Sequence, residues 1–245
     1  METVIRWIRT VLISLFTVIS GTLSSLFGWW RPAYYGISRF FWSPALLSVS
    51  NIRVRKDFKV KVKGLPPCIF FANHRSHFDI PVMMYSIPRP LYFLAKKELK
   101  SIPFLGWGMA AIGMIFIDRT DRASARRSME KAGDQIRKGK SIVTFPEGTR
   151  SSSKELMMFK KGAFHLAKSQ GIPLVPVAIS GTEKVLPKHG KLKSGKVLIT
   201  LGEPIGPEEL NEMSIEQIRE EAKNRLQDLL LSVEEKVTMQ KPKTA

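Results

Sequence analysis

Pro67-Cys68-Ile69-Phe70-Phe71-Ala72 is an unbroken apolar run, followed at once by Asn73-His74-Arg75-Ser76-His77-Phe78-Asp79 and then by Ile80-Pro81-Val82-Met83-Met84-Tyr85. An apolar run without alternation reads as a strand buried on both faces, the condition of a strand inside a parallel sheet. The segment after the polar stretch reads as a helix, with Asp79 placed as its N-cap and Pro81 in the first turn, where a missing N–H costs nothing. His74 then stands at the carboxyl end of a strand, where open α/β sheets hold their ligands. On one continuous helix, residues five apart point about 140° away from each other. His74 and Asp79 therefore meet only if the corner folds the chain back. A carboxylate on one imidazole nitrogen fixes the tautomer and leaves the other nitrogen to take a proton. The plainer alternative is a hydrogen-bonded histidine at a strand end beside an aspartate that only caps a helix.

The rest of the chain repeats the pattern. Residues 52–63 alternate, with Ile52, Val54, Phe58, Val60 and Val62 between basic residues, and read as a half-buried strand broken near Lys56-Asp57. Buried strands follow at Leu91–Ala95, Met114–Ile117, Ser141–Phe145, Leu174–Ile179 and Lys196–Leu201. Between them lie helices starting at Ser101-Ile102-Pro103, at Arg122–Lys138 and at Gly162–Gln170, and Ser214 with Gln217 forms a capping box for a last helix. The expected fold is α/β, a mostly parallel central sheet flanked by helices.

Length and charge narrow the rest. The 245 residues suffice for one large domain with a real core. Lys plus Arg number 39 against 21 acidic residues, a net +18, which calls for an anionic partner: a phosphate-bearing substrate, an anionic membrane surface or nucleic acid. The single cysteine, Cys68, excludes an internal disulfide and a cysteine-based zinc site, and its place in a central strand makes it a small buried hydrophobe.

From Thr10 to Trp30 no residue is charged, and a second uncharged stretch runs from Phe40 to Ile52. The first is long enough to span a bilayer. Arg6 and Arg9 precede it and Arg31 follows it, so charge gives no orientation. Cations at both ends suit a helical hairpin inserted in one leaflet, with Trp7, Trp29, Trp30, Tyr34, Tyr35 and Trp42 at headgroup level; a single spanning helix is the alternative. The division expected is a membrane-associated helical segment over 1–50, a catalytic domain over 51–237 and a disordered tail over 238–245. Without the first segment the domain is expected to fold and to bind membranes weakly.

Further strand ends carry polar groups suited to a phosphate ester: Lys96 after Ala95, Asp118 and Arg119 after Ile117, and Glu147, Gly148 and Arg150 after Phe145. Each alone has an ordinary reading as a solvated strand end or turn. Four stretches together closely resemble the glycerolipid acyltransferase family, specifically the 1-acyl-sn-glycerol-3-phosphate acyltransferases. They are Asn73–Asp79, Gly113–Arg119, Phe145–Ser151 and Val175–Ile179, in family order and without departure, and Ala95–Leu99 between the first two is also similar. The resemblance covers roughly residues 65–205.

The resemblance implies a glycerol-3-phosphate acyltransferase-like fold and acyl transfer from a thioester to the sn-2 hydroxyl of lysophosphatidic acid, making phosphatidic acid. It makes His74 the general base and Asp79 its orienting partner, with direct attack and no acyl-enzyme. Consistent with that, the chain has no Gly-x-Ser-x-Gly elbow. It assigns the acceptor phosphate to Arg119 and Arg150 with Lys96 in support, adds Glu147, Gly148 and Thr149 to the same site, and makes the Gly148 N–H a candidate oxyanion donor. It reads the fourth stretch as core beneath the acyl group. It implies no metal and no resident cofactor, an acyl-carrier-protein (acyl-ACP) or coenzyme A (acyl-CoA) thioester as co-substrate, and a catalytic domain on the cytoplasmic face of the cell membrane.

Other readings stand beside it. A Ser76-His77-Asp79 hydrolytic triad asks residues too close in sequence to converge. His165 and His189 read as structural or solvated, and the basic loop Lys184–Lys196 as meeting anionic headgroups rather than forming part of the catalytic site. A membrane-tethered nucleic-acid binder would pair its basic residues with exposed aromatics or a recognition helix, whereas here the aromatics gather at the N-terminus; no nucleic-acid partner is expected.

Overall fold

The computed structural model describes residues 2–239 other than Gly28, Arg119 and Lys154. Its strands are β1 (Ile52–Lys56), β2 (Ile69–Ala72), β3 (Leu91–Lys96), β4 (Ile115–Ile117), β5 (Ser141–Thr144), β6 (Leu174–Ser180) and β7 (Gly195–Leu201). They form one seven-stranded sheet in the order β1-β7-β6-β2-β5-β3-β4. The body from β6 to β4 is parallel. β7 runs antiparallel to β6, and β1 runs parallel to β7. The mostly parallel α/β sheet expected from the strand pattern is therefore observed. Every residue of β2 and β5 is buried, which is why those strands are apolar without alternation. β1 is an edge strand with Arg53, Arg55 and Lys56 exposed, and such cations discourage pairing by another chain.

The helices are α4 (Asp79–Ser86), α5 (Leu105–Ala111), α6 (Arg122–Arg137), α7 (Gly162–Gln170), α8 (Thr182–Val185), α9 (Pro207–Glu212) and α10 (Ile215–Met239), after an N-terminal group of α1 (Glu2–Phe27), α2 (Arg31–Gly36) and α3 (Ser43–Val49). The connection from β2 to β3 through α4 moves one way across the sheet, and that from β5 to β6 through α7 moves the other. With right-handed crossovers the two helices lie on opposite faces. α6, α7 and α10 share one face, and α4, α5 and the N-terminal helices share the other. β2 and β5 are neighbours whose connections leave to opposite faces, so a crevice opens between their carboxyl ends.

Two boundaries differ from the sequence pattern by several residues. The first strand stops at Lys56, opposite Ile199 and short of the end of β7 at Leu201. Asp57 and Lys59 still donate to the Ile199 and Leu201 carbonyls, and the chain then closes in a 3-10 turn that buries Val62. The helix expected from Ser101 begins at Leu105. Lys97–Ser101 is a 3-10 turn and Phe104 has φ +59, which interrupts any continuous helix. The capping box forms as expected: the Ser214 N–H donates to Gln217 Oε1 and the Gln217 N–H to Ser214 Oγ. Its helix runs to Met239, and residues 240–245 of the expected tail lie outside the described residues.

The N-terminal helices form a hairpin. α1 runs out, and α2, a π-helical stretch Ile37–Trp42 and α3 return along it. Phe41 meets Phe16 edge-on at 5.7 Å, and Trp42 Nε1–H donates to the Thr17 hydroxyl. Trp7–Phe27 is long and apolar enough to cross a bilayer, and its outer face, including Ile8, Val11 and Leu15, is exposed. That face suits membrane association. Trp7, Trp29 and Trp30 are exposed, as expected of headgroup anchors. Tyr34 and Trp42 are not: helical phase turns both inward, and the Tyr34 hydroxyl donates to the Leu91 carbonyl at 2.5 Å. Tyr34, Leu46 and Leu47 belong to the same buried core as the sheet.

Candidate active site

The corner after β2 is laced to its surroundings through side chains. The Asn73 amide donates to the Ile179 carbonyl (2.8 Å) and accepts from the Ile179 N–H (2.9 Å). One side chain thereby extends the β2–β6 ladder by a step. The chain then folds back, and His74 Nδ1 meets Asp79 Oδ2 at 2.8 Å. Asp79 is the first residue of α4 and not its N-cap, which is Phe78. Its carboxylate is spent on the corner instead. Oδ2 also accepts the N–H groups of Arg75 (2.8 Å) and Ser76 (2.9 Å), and Oδ1 accepts the Thr182 hydroxyl at 2.5 Å. Asp79 is fully buried while the His74 side chain is 16 % exposed. A carboxylate that already takes two backbone N–H groups on this oxygen suits an Nδ1–H donor, and in the neutral imidazole that tautomer leaves the lone pair on Nε2.

The loop after β5 holds His74 from the other side. Glu147 Oε1 accepts the His74 N–H (3.1 Å), Glu147 Oε2 accepts the Met157 N–H (3.1 Å), and Ser151 N–H donates to the His74 carbonyl (2.8 Å). The imidazole stacks on Phe145 with centroids 4.0 Å apart. Burial pushes the Glu147 carboxyl above the ordinary glutamate value, opposed by its two backbone donors. The Gly148 N–H donates to the Phe145 carbonyl (3.0 Å), closing the turn at φ +78. In this conformation that amide is engaged by the turn, whereas the oxyanion role expected from sequence needs it aimed at the substrate.

The other expected site residues that are described, Arg150 and Thr149 after β5 and Lys96 at the end of β3, are in different states. Arg150 is half-buried and, among the described residues, forms no ion pair with a carboxylate. Its charge reaches His77, whose pKa is lowered first by desolvation and then by Arg150. Thr149 is exposed. Lys96 ends β3, exposed, with its ammonium on Glu98 at 3.1 Å, and among the described residues no contact ties it to the His74 corner. Asp118 pairs with Lys97 at 3.0 Å. Arg119 lies outside the described residues. No triad forms from Ser76, His77 and Asp79: the Ser76 hydroxyl donates to the Leu186 carbonyl (2.9 Å) and Asp79 is taken by His74. His165 and His189 are exposed, as expected.

Beside His77 and Phe78 opens a cavity of about 730 Å³ between the N-terminal hairpin and the face formed by α4 and α5. Thr17 and Tyr34 line it from the hairpin, and Met84, Phe93 and Met109 from the sheet side. Its size falls in the range of small-molecule pockets and its walls are mostly apolar. The basic loop corrects another expectation. Leu186, Gly190, Lys191 and Leu192 wall the cavity, and the Ser76–Leu186 bond ties the loop to the His74 corner, so the loop borders both. The apolar residues among the lysines carried that signal, but a charge count hides it. Thr182 was also missed. Its signal was a polar residue just past a buried strand, the same one that marks the other strand ends.

A family model described as "Acyltransferase" matches residues 51–180. The chain is 35 % identical over 239 residues to a 1-acyl-sn-glycerol-3-phosphate acyltransferase of Saccharomyces cerevisiae, covering 93 % of this chain and 78 % of that protein. It is 30 % identical over 219 residues to the protein of that name in Escherichia coli, covering 89 % and 87 %. Its fold matches the crystal structure of the 1-acyl-sn-glycerophosphate (LPA) acyltransferase PlsC from Thermotoga maritima, with a TM-score of 0.81 at 23 % identity over 96 % of this chain and 98 % of that one. On the extent of these matches, the chain belongs to the acyltransferase family, among the 1-acyl-sn-glycerol-3-phosphate acyltransferases.

Proposed function

We propose that the chain transfers a fatty acyl group from a thioester to the sn-2 hydroxyl of 1-acyl-sn-glycerol-3-phosphate, releasing phosphatidic acid and a free thiol. The observation that carries the chemistry is the His74–Asp79 pair, 2.8 Å apart across a corner whose His77 and Phe78 line an apolar cavity. His74 Nε2 takes the hydroxyl proton as the oxygen attacks the thioester carbonyl. The buried Asp79 carboxylate stabilises the imidazolium that forms. Collapse of the tetrahedral intermediate breaks the C–S bond, and the imidazolium returns its proton to the departing sulfur. Direct transfer is supported by the absence of a poised nucleophile at the described corner: Ser76 is committed to Leu186, and Cys68 is buried with its thiol pKa pushed up to about 11 by desolvation.

Arg150, half-buried and without a carboxylate partner among the described residues, is the leading ligand of the acceptor phosphate. Arg119 is assigned beside it from the sequence resemblance. Glu147 acts in this reading by bracing the backbone of His74 rather than by touching substrate. The cavity holds an acyl chain, and the exposed face of α1 sits in an anionic membrane with the site at the cytoplasmic surface. The donor is an acyl-ACP or acyl-CoA thioester.

The test crosses lysophosphatidate and neutral-headgroup lysolipids with both donors. Phosphatidate formation at least about 10-fold faster than any neutral product is expected, since a charged phosphate contact contributes on the order of 1.5–3 kcal/mol. Equal rates on all acceptors overturn the phosphate reading. No transfer to any lysolipid overturns the activity.

A further inference from the structure

We infer that Thr182 is a positioning residue of the catalytic pair, the third member of a His74–Asp79–Thr182 chain. This rests on the general-base reading above and extends it to a residue outside the four motif stretches.

A carboxylate rotates freely about its Cβ–Cγ bond. Three donors, His74 Nδ1–H and the N–H groups of Arg75 and Ser76, converge on Oδ2 alone. They fix where that oxygen sits and leave the twist of the group to whatever holds Oδ1. Among the described residues the donor to Oδ1 is the Thr182 hydroxyl at 2.5 Å, with both side chains fully buried. That length is typical of an O–H donor on an ionised acceptor. The local backbone is built for the contact. Gly181, at φ +101, lies so close to β7 that a Cβ there would stand 2.3 Å from the Lys196 carbonyl oxygen. Only glycine permits that turn, and the turn brings Thr182 back from the end of β6 over Asp79. Asn73, bonded to Ile179, locks the same strand end to the corner. The in-plane direction of Asp79 Oδ2, and with it the tilt of the His74 ring, is therefore set from β6.

The experiment uses the full-length chain in lipid–detergent micelles. Thr182→Val keeps shape and removes the donor. We expect kcat to fall on the order of 10-fold, the loss of one bond to a charged group, with the KM for lysophosphatidate within about twofold. Thr182→Ser restores kcat to within about threefold, whereas Thr182→Cys, similar in size but a much weaker donor, does not. In an Asp79→Asn background Thr182→Val costs less than about twofold, because the group it positions is already impaired. A near-normal kcat for Thr182→Val while Asp79→Asn is impaired overturns the inference alone. Full activity of Asp79→Asn overturns the general-base reading and the inference with it. If Thr182→Val does not fold, the Ser and Cys variants decide: equal rates in the two overturn the role of the hydroxyl.

Discussion

His74 lies flat against Phe145, with ring centroids 4.0 Å apart and planes 15° from parallel. The residue that follows β5 thus forms the floor on which the base rests. Phe93 stacks behind it at 6.1 Å. Phe145→Ala removes that floor without touching a polar group. It should lower kcat by about 10-fold through loss of ring orientation and destabilise the fold by on the order of 3 kcal/mol, as large-to-small core changes do. Phe145→Tyr, which keeps the ring, should stay within about threefold of the parent. Steady-state kinetics and thermal melts on the two variants check this.

His74→Ala should cost on the order of 10²–10⁴-fold in kcat, the range for a positioned base. Asp79→Asn should cost less, since an amide can still accept from Nδ1–H. Circular dichroism must show both variants folded. Near-normal turnover of a folded His74→Ala protein ends the general-base mechanism.

Glu147 joins two loops through two backbone donors, one on each carboxylate oxygen. Glu147→Gln keeps one acceptor and turns the other into a donor facing an N–H. A loss of about 1–3 kcal/mol is expected for the unpaired amide, with a fall in kcat. The pH dependence gives a second signature. The folded-state pKa is raised by burial from its ordinary value of 4.5, so the native protein binds that proton more tightly than the unfolded chain. Stability from this group is present below the ordinary value and is lost as pH rises through the folded one. Across that window the parent should lose stability relative to Glu147→Gln, as read from melting temperatures.

Cys68 is fully buried and its thiol is pushed up to about 11 by desolvation. Iodoacetamide at pH 8 should leave the native protein unmodified and add one label in denaturant, since the thiolate is the reactive species. Mass spectrometry before and after urea distinguishes the two states. Labelling of the native chain at the rate of a free thiol contradicts the buried assignment.

Gly21 on α1 crosses α5 backbone to backbone: a Cβ there would stand 2.4 Å from the Phe104 carbonyl oxygen, and one on Gly108 would stand 2.9 Å from Gly21 Cα. Gly21→Leu makes α1 more apolar but forces it off α5, displacing one wall of the cavity. Liposome binding should be unchanged while transfer from long-chain donors falls at least about 10-fold. Deleting residues 1–50 should do more. Tyr34, Leu46 and Leu47 sit in the sheet's core, so the truncated chain should be inactive even on short water-soluble substrates. Sedimentation with liposomes and a short-chain assay separate anchoring from wall-building.

The parallel strands and the His74–Asp79 pair were legible because their signals are local: unbroken apolar runs, and a polar corner between one of them and a helix. What escaped the sequence depends on partners far along the chain. Whether Phe58 to Val62 continues a strand depends on how far β1 pairs with β7. Tyr34 reads as a headgroup anchor by its type, yet its inward turn is set by helical phase against Leu91. The Gly148 N–H looks available in a glycine-bearing turn until the Phe145 carbonyl is placed beneath it. Thr182 stands 103 residues from Asp79 along the chain, and no spacing rule links them.

The reversed pair at the sheet's edge has a consequence for biosynthesis. Ile52 finds its ladder partner only at Gly195, and β6 must be in place before β7 can turn back on it. The hairpin therefore leaves the ribosome long before the strand that closes the sheet beside it exists. Pairings this distant in sequence make folding slow, and an apolar helix without its partners is prone to aggregate meanwhile. A bilayer beside the translating ribosome would shelter α1 during that wait, so yield from cell-free synthesis should rise when liposomes are present from the first codon rather than added after release.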